Sequence, residues 1–548
     1  MKGLPIGNDD FKYLRDNDGY YVDKTELVKE ILDNRNTKAF LFTRPRRFGK
    51  SLNMSMIDAF FNIQYKGNGW FEGLKVTTHS DCMSEMNESP VMFISLKGLE
   101  AESFERFERL LKNRLKKLYG KFEFLKDSNK LSDRNRSNYL DVAYEDFRTV
   151  DPTEALMNLS DMLCEHYGKR CIIIVDEYDN AIQNSYGMPF QRQVLGTIRG
   201  LLTNALKSNE SLRFGIVTGV MQIAKESVFS GLNNLYVNSI FSSGFNEEFG
   251  FTESETRDML EYYGHPEKYD EVKDWYDGYR FGDAEVYNPW SLVSYIAEGF
   301  VPRKYWAGTS GNEVLTTLVD SADDSVWSDL ESLAKGHAVR KSLDQSVVYS
   351  DIGRKSSAIY SILAMCGYLN ARKAEDSYDL SIPNSEMYQV YSEVLLQCAG
   401  SSEIASRIRG LFKAMRSCDT ASMEDALRDL MRETVSAKIF DSEHVYQAYL
   451  IGMTMGFCGN YEIYGDRLES GDGFADIIFK RTSGPGVNIV VELKRSRKES
   501  DLKSDAEKAM AQIHEKDYAH GLKGRTILYG TSFYSKSLLI IAEETFGH

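Results

Sequence analysis

The sequence predicts an α/β protein in three parts: a parallel-sheet domain around a basic, glycine-bearing loop (1–300), a helical, winged-helix-like middle region (301–436), and a smaller C-terminal α/β domain (437–548). Three observations carry that prediction. KAFLFTRPRRFGKSLNMSMIDAFF, Lys38 to Phe61, runs from an apolar strand through a basic loop into a helix with apolar residues at helical spacing. RCIIIVDEYDNAI, Arg170 to Ile182, is an uninterrupted β-branched run ending in Asp176 and Glu177, as a strand buried on both faces of a parallel sheet requires. Beyond about Phe440 the order changes to a helix, three strands, a helix and two strands.

Composition bounds the partners. The 548 residues are 42% apolar and 27% charged, ordinary for a globular protein. A formal net charge of −15 speaks against nonspecific, whole-surface attraction to nucleic acid and is compatible with a local basic site. Arg44, Arg46 and Arg47 form one and the run Lys494 to Lys498 another, although charge runs are ordinarily solvated surface. No apolar run approaches a membrane span, and MKGLPIGNDDF lacks the apolar segment of a secretory signal, so a cytoplasmic location with no membrane partner is expected. Seven cysteines without a CxxC pair point to reduced thiols, not a zinc ribbon or disulfide framework.

In chain order, YYVDKTELVKEILDN reads as a helix capped at Asp23 or Thr25. The strand Ala39 to Thr43 follows, then a loop whose last residues are Gly49, Lys50 and Ser51. In the pattern GxxxxGK(S/T) backbone N–H groups cradle phosphates, the lysine reaches the β/γ oxygens and the hydroxyl ligates magnesium. Arg44 stands where that pattern has its first glycine. The candidate nucleotide-binding residues are therefore Arg44, Pro45, Arg46, Arg47, Phe48, Gly49, Lys50, Ser51 and Leu52, with ATP as the ligand and Ser51 also a magnesium ligand. Leu52 to Phe61 continues as helix, Val91 to Leu96 as strand and Ala101 to Tyr119 as helix. Lys121 to Asp151, with weak periodicity, reads as an insertion or long loop.

Asp176, at the end of its strand, resembles the Walker B aspartate that holds hydrated magnesium, and Glu177 is placed to polarise the attacking water. The alternative is that the pair merely caps the strand. A helix from Gln191 to Ser208 leads into the strand Leu212 to Thr218, whose Thr218 reads either as a γ-phosphate sensor or as an ordinary strand-end threonine. Lys225 reads as a transition-state charge or, preferably, as surface. Strands alternating with helices give a parallel sheet with crossover helices.

YYVDKT, TRPRRFGKSL, VDEYDNAI, TGV with IAKES and FSGLNN, WYDGYRFG and VYNPWSL together resemble the AAA-ATPase-like family of prokaryotic proteins, which commonly carry a C-terminal PD-(D/E)XK nuclease-like domain. The resemblance spans roughly residues 4 to 300, and the C-terminal hundred more weakly. It implies a P-loop NTPase domain in which Arg44 is normal, followed by a restriction-endonuclease-like domain. WYDGYRFG and VYNPWSL read as packing segments in preference to a nucleotide cover.

In the middle region Pro302 to Arg340 reads as helical, Ser356 to Met365 as helix, and Tyr368 to Arg372 with Tyr378 to Ile382 as a hairpin; few basic residues favour packing over DNA binding. Residues 385 to 436 read as a helical connector that could transmit motion. The C-terminal strands are Tyr461 to Tyr464, Phe474 to Phe479 and Asn488 to Leu493, which carry Asp476 on the second, Glu492 on the third and Lys494 just after it. Strand periodicity puts Glu492 and Lys494 on one face. Carboxylates on neighbouring strands can hold a hard divalent cation beside a lysine that orients water, although an exposed cross-strand charge pattern is the plain alternative. The arrangement resembles the D…ExK centre of PD-(D/E)XK nucleases, and that resemblance adds Glu443 as a metal ligand on the preceding helix, with Gln512 and Tyr518 downstream. One departure is Gly473-Phe474-Ala475, where a basic phosphate contact is expected.

The resulting expectation is an ATP-driven or ATP-gated nuclease that uses Mg²⁺, or Mn²⁺ in its place, on DNA, with a homo-oligomer as a possible assembly. Its residues would be Ser51, Asp176 and Glu177 at one centre and Glu443, Asp476, Glu492 and Lys494 at the other. The competing expectation is a nucleotide switch whose C-terminal domain binds without catalysis.

Overall fold

The structure, a computed structural model, describes residues 1–207, 209–221, 235–306, 315, 318, 324–334, 336–345, 356–398, 402–434, 443–455, 461–465, 469–470, 473–482 and 487–547. It divides into two compact units. One comprises Met1–Gly311, Ser321–Leu333 and Ala338–Met387, the other Asn312–Asp320, Ala334–His337 and Tyr388–His548.

In the first unit the strands β1 (Ala39–Thr43), β2 (Val91–Ser95), β3 (Cys171–Asp176), β4 (Leu212–Gly219) and β5 (Leu235–Asn238) form a parallel sheet in the order β2-β3-β4-β1-β5. Every residue of β1 and β3 is buried, because helices or loops cover both faces. On one face Leu41, Ile173 and Val217 pack with Leu111, Leu159 and Leu202 of three crossover helices, Phe104–Gly120, Ala155–Tyr167 and Gln191–Leu206. The alternate residues of β1, Phe40 and Phe42, meet Phe245 on the other face, the Phe42 and Phe245 ring centroids lying 5.0 Å apart. The C-terminal ends of β1, β3 and β4 open side by side, with Phe42 opposite Thr218 and Val175 opposite Val217.

Two features depart from the sequence reading. The stretch read as an insertion or loop contains a helix, Asp133–Tyr144, whose Tyr139 and Val142 enter the core. Its periodicity is weak because Asp141 occupies a buried position, accepting from the backbone N–H groups of Arg148, Thr149 and Val150. The sheet also has β5 as an edge, a strand not foreseen, which pairs Ala39 with Leu235. Lys225 lies outside the described residues.

A short hairpin, β6 (Tyr279–Phe281) and β7 (Ala284–Val286), follows. β8 (Val339–Lys341), at the end of the stretch read as helical, comes before the helix Ser356–Met365, which is followed by β9 (Asn370–Ala374) and β10 (Ser377–Ser381); the three strands form an antiparallel sheet in the order β8-β10-β9.

The second unit is built on β11 (Tyr461–Tyr464), β14 (Ile477–Arg481), β15 (Asn488–Arg495), β16 (Gly524–Tyr534) and β17 (Ser537–Gly547), ordered as named, with a small pair, β12 (Glu469–Ser470) and β13 (Gly473–Phe474), beside them. Only β15 and β16 are parallel; the other neighbours run antiparallel. Helices Ser402–Ser417, Thr420–Thr434 and Glu443–Met455 cover one face: Phe412 and Phe479 lie 5.9 Å apart, and Tyr529 Oη donates to Met415 O at 2.7 Å. Helix Leu502–Glu515 covers the other face, packing Met510 and Ile513 on Ile478 and Val490. It sits directly on Gly530, where a Cβ would fall 2.6 Å from Ala506 O.

Among the described residues no helix is long and apolar enough to cross a membrane. Cys82, Cys164, Cys171, Cys366 and Cys418 form no disulfide.

Candidate functional sites

The first site is made where β1 turns into the helix Lys50–Phe61. Arg47 and Gly49 take left-handed φ values of 71° and 78°, which bends the loop tightly enough for the helix to begin at Lys50. Arg44 does not face solvent. It is 0% exposed, and its guanidinium donates to Thr43 O, Asn238 O, Asn238 Oδ1 and Phe245 O at 2.6–3.0 Å, while lying 4.9 Å from the Phe249 ring centre and 5.0 Å from that of Phe281. The residue in the first-glycine position is thus a strut beneath the loop. Phe48 sits on Tyr279 and Phe281 of the β6–β7 hairpin, at 5.0 and 5.1 Å. WYDGYRFG therefore supports the loop from below.

Lys50 is 8% exposed and donates to Arg44 O at 2.9 Å and Pro45 O at 2.7 Å. Burial pushes its pKa down to about 8, with Asp176 pulling the other way. Ser51 Oγ donates to Asp176 Oδ2 at 2.7 Å, and Thr218 Oγ1 donates to Asp176 Oδ1. The neighbouring Glu177 is held at φ 53°, a conformation that non-glycine residues avoid unless the surroundings impose it. Its carboxyl is raised above the usual range by burial, with the Asp176 charge adding to the shift. Asp179 ties the ends of β3 and β4 together by accepting from Val220 N at 2.7 Å and Met221 N at 3.1 Å.

A cavity of about 490 Å³ opens over this loop and takes in Arg46, Arg47, Phe48, Gly49, Lys50, Ser51, Leu52 and Glu177; Arg44, Pro45, Asp176 and Thr218 are not in its wall. Sequence reasoning missed several wall residues: Tyr21, Lys97, Glu248 and Trp290. Trp290 stacks under the Arg47 guanidinium at 4.0 Å. Tyr21 and Trp290 lie in the quoted YYVDKT and VYNPWSL strings, but nothing local marked Glu248 or Lys97. The hydroxyl of Ser51 and the carboxylate of Asp176 are hard oxygen donors of the kind magnesium takes.

The second site lies in the C-terminal unit. Asp476, expected on a strand, immediately precedes β14, and its Oδ2 accepts from Leu493 N at 2.6 Å. That bond fastens it to β15, where Lys494 Nζ donates to Glu492 Oε1 at 2.8 Å. Glu492 is 1% exposed, and its Oε2 has no hydrogen-bond partner among the described residues. Burial raises its pKa against the pull of Lys494. For Lys494 burial acts downward, but the hydrogen bond and charge of Glu492 outweigh it and hold the ammonium above its ordinary value. Glu443 and Gln447 lie one turn apart on the helix Glu443–Met455. Glu443 Oε1 accepts from Arg495 N at 3.0 Å, and Gln447 Nε2 donates to Asp476 O at 2.6 Å. Gln512 Nε2 donates to Tyr518 Oη at 3.2 Å; burial raises the tyrosine pKa, with the Glu492 and Asp476 charges adding to it. Glu443, Asp476, Glu492 and Lys494 therefore lie within electrostatic reach of one another, and Tyr518 within reach of Asp476, Glu492 and Lys494. Gln447 was not foreseen, and the Phe474 side chain lies outside the described residues.

Among the described residues no group of three or more His, Cys, Asp or Glu side chains is placed to hold a metal ion, so Glu443, expected as a metal ligand, does not join Asp476 and Glu492 in such a group. Magnesium asks for less, being commonly held by one or two carboxylates plus waters and phosphate oxygens, so Asp476 and the unpartnered Glu492 Oε2 fit it.

Residues 5–229 match the family described as "Predicted AAA-ATPase", and residues 441–543 match the PD-(D/E)XK nuclease superfamily. The chain is also 27% identical over 404 residues to the "Uncharacterized protein in vnfD 5'region" of Azotobacter chroococcum mcd 1, an alignment covering 72% of this chain and 70% of that protein.

Proposed function

For a chain that joins an AAA-ATPase-like domain to a PD-(D/E)XK nuclease superfamily domain, we propose an ATP-binding hydrolase fused to a magnesium-dependent nuclease, with ATP regulating the cleavage of DNA. The observation that carries it is a repeated arrangement. Each unit sets a lysine beside oxygen side chains, Lys50 with Ser51 and Asp176, and Lys494 with Glu492 and Asp476.

In the first unit the loop's backbone N–H groups would cradle the phosphates. Lys50 would exchange the carbonyls of Arg44 and Pro45 for β/γ oxygens, and Glu177 would take the proton of the attacking water, a task suited to its raised pKa. Thr218 would keep Asp176 oriented. In the second unit Lys494 would orient a water against the scissile phosphate, Glu443 would fix the start of the basic run at Arg495, and Tyr518 would close the far side. Mg²⁺, or Mn²⁺ in its place, held by Ser51 and Asp176 in one unit and by Asp476 and Glu492 in the other, would supply neutralisation of phosphoryl charge.

The test is incubation of the full chain with plasmid and linear DNA, Mg²⁺ and varied ATP. Cleavage that ATP modulates, that Lys494→Ala abolishes and whose ATP response Lys50→Ala removes supports the reading. Cleavage unchanged by Lys494→Ala defeats it. ATP hydrolysis with DNA binding but no cleavage makes the C-terminal unit a binding module.

A further inference from the structure

The cavity over the loop has more wall than a triphosphate needs. Besides the loop and polar residues such as Asp9, Lys97, Glu100 and Asn180, its lining includes an aromatic and apolar group, Phe251, Trp290 and Val293, together with Tyr21 and Glu248. One polar atom within that group, Glu248 Oε2, is buried without a hydrogen-bond partner among the described residues. Buried polar groups are nearly always paired, and an unpaired carboxyl oxygen is among the costliest to leave so. Glu248 is 8% exposed, and its own backbone oxygen accepts from Asn53 Nδ2 at 2.7 Å. Asn53 lies on the helix that begins at Lys50, so the carboxyl is anchored about one turn from the phosphate loop.

We propose that this part of the cavity is an adenine subsite in which the Glu248 carboxyl pairs with the base edge that carries the exocyclic amino group, with the Tyr21 hydroxyl beside it. The inference rests on the triphosphate reading of the loop given above, and adds which residues recognise the base. Adenine presents an N–H donor next to a ring-nitrogen acceptor, so its partner must accept and donate at once. A protonated carboxyl does this. Burial pushes the Glu248 pKa up to about 8, with Lys24 pulling it down and Glu30 and Glu255 pushing it further up, which keeps it protonated near neutral pH. Phe251 and Trp290 add aromatic wall to the cavity, and Arg47, lying over the Trp290 ring at 4.0 Å, bridges that wall to the loop.

The experiment measures equilibrium binding of three probes to the full chain: ATP, purine riboside triphosphate, which lacks the amino group, and inorganic tripolyphosphate. Wild type is expected to bind ATP roughly 10- to 100-fold tighter than purine riboside triphosphate, the range for a lost hydrogen bond to a buried polar group. Glu248→Ala should bind the two nucleotides alike, because base and residue delete the same contact, while tripolyphosphate binding stays at the wild-type level. Glu248→Gln, whose amide also accepts and donates, should keep most of the preference. A wild type indifferent to the amino group, or a Glu248→Ala protein that retains the full preference, overturns the subsite. The parent reading is probed separately by Lys50→Ala, which should weaken all three probes. If that variant binds tripolyphosphate and ATP as wild type does, the triphosphate reading falls, and the adenine subsite with it.

Discussion

Ser51 Oγ donates to Asp176 Oδ2 across 2.7 Å, so the first turn of the helix after the loop is pinned to the end of β3 by the two side chains proposed above as magnesium ligands. Ser51→Ala removes one of them and leaves the fold nearly intact, since a hydrogen bond of this kind contributes about 1 kcal/mol. In fluorescent-ATP titrations the tightening produced by Mg²⁺ should drop by roughly tenfold or more, while affinity in EDTA stays within about twofold. An undiminished Mg²⁺ effect would show that Ser51 is no ligand.

Glu248 should make the protein less stable than it could be. Its folded pKa of about 8 lies above the unfolded value near 4.3, so the native state keeps a proton that the unfolded chain releases. Stability from this group is fully present at low pH and is lost as pH rises from the unfolded value toward the folded one, by up to several kcal/mol on the order-of-magnitude rule of about 1.4 kcal/mol per unit. Glu248→Gln lacks that loss. Its melting temperature should therefore match wild type near pH 4.5 and exceed it increasingly up to pH 8, and parallel curves would contradict the raised pKa.

Gly278 tests the support beneath the loop. At φ 87° a Cβ there would fall 2.0 Å from Pro383 O, a backbone atom that cannot step aside cheaply. The next residues, Tyr279 and Phe281, carry Phe48. Gly278→Ala should cost at least about 2 kcal/mol in thermal unfolding, from the left-handed strain and the clash together, and should weaken ATP binding through the displaced loop. A variant as stable as wild type would mean the hairpin bears no such constraint.

The strands β1, β3 and β4 were legible because a parallel sheet covered on both faces demands unbroken apolar runs, and AFLFT, CIIIVD and the LRFGIVT segment supply them. The edge strand β5, LYVN, is half-exposed and carries no such run, so it gave no signal. Asp141 hid the helix around it by spending a core position on three backbone N–H groups. At the candidate sites, the proximity of Ser51 to Asp176 and of Lys494 to Glu492 could be expected because motif order and strand alternation are local. Arg44 could not be read as a strut, since its partners Asn238 and Phe245 lie about 200 residues away in the chain. Glu248 was invisible for the same reason: only the folded cavity makes its isolation apparent.

The ion pair of Lys494 with Glu492 separates catalysis from stability. Glu492 is 1% exposed, so deleting Lys494 strands a carboxylate that the surroundings already disfavour. Breaking such a buried pair typically costs about 3–5 kcal/mol, whereas replacing both partners with neutral groups of similar size is often nearly neutral. Lys494→Met should therefore lower the melting temperature, and by less as pH falls, because burial already raises the Glu492 pKa and protonation relieves the stranded charge. The double variant Lys494→Met, Glu492→Gln should recover most of that loss. DNA cleavage should be absent from both proteins, since the chemistry needs the charge and the oxygen that stability does not. Recovery of cleavage along with stability in the double variant would show that the pair is only structural and that the catalytic centre lies elsewhere.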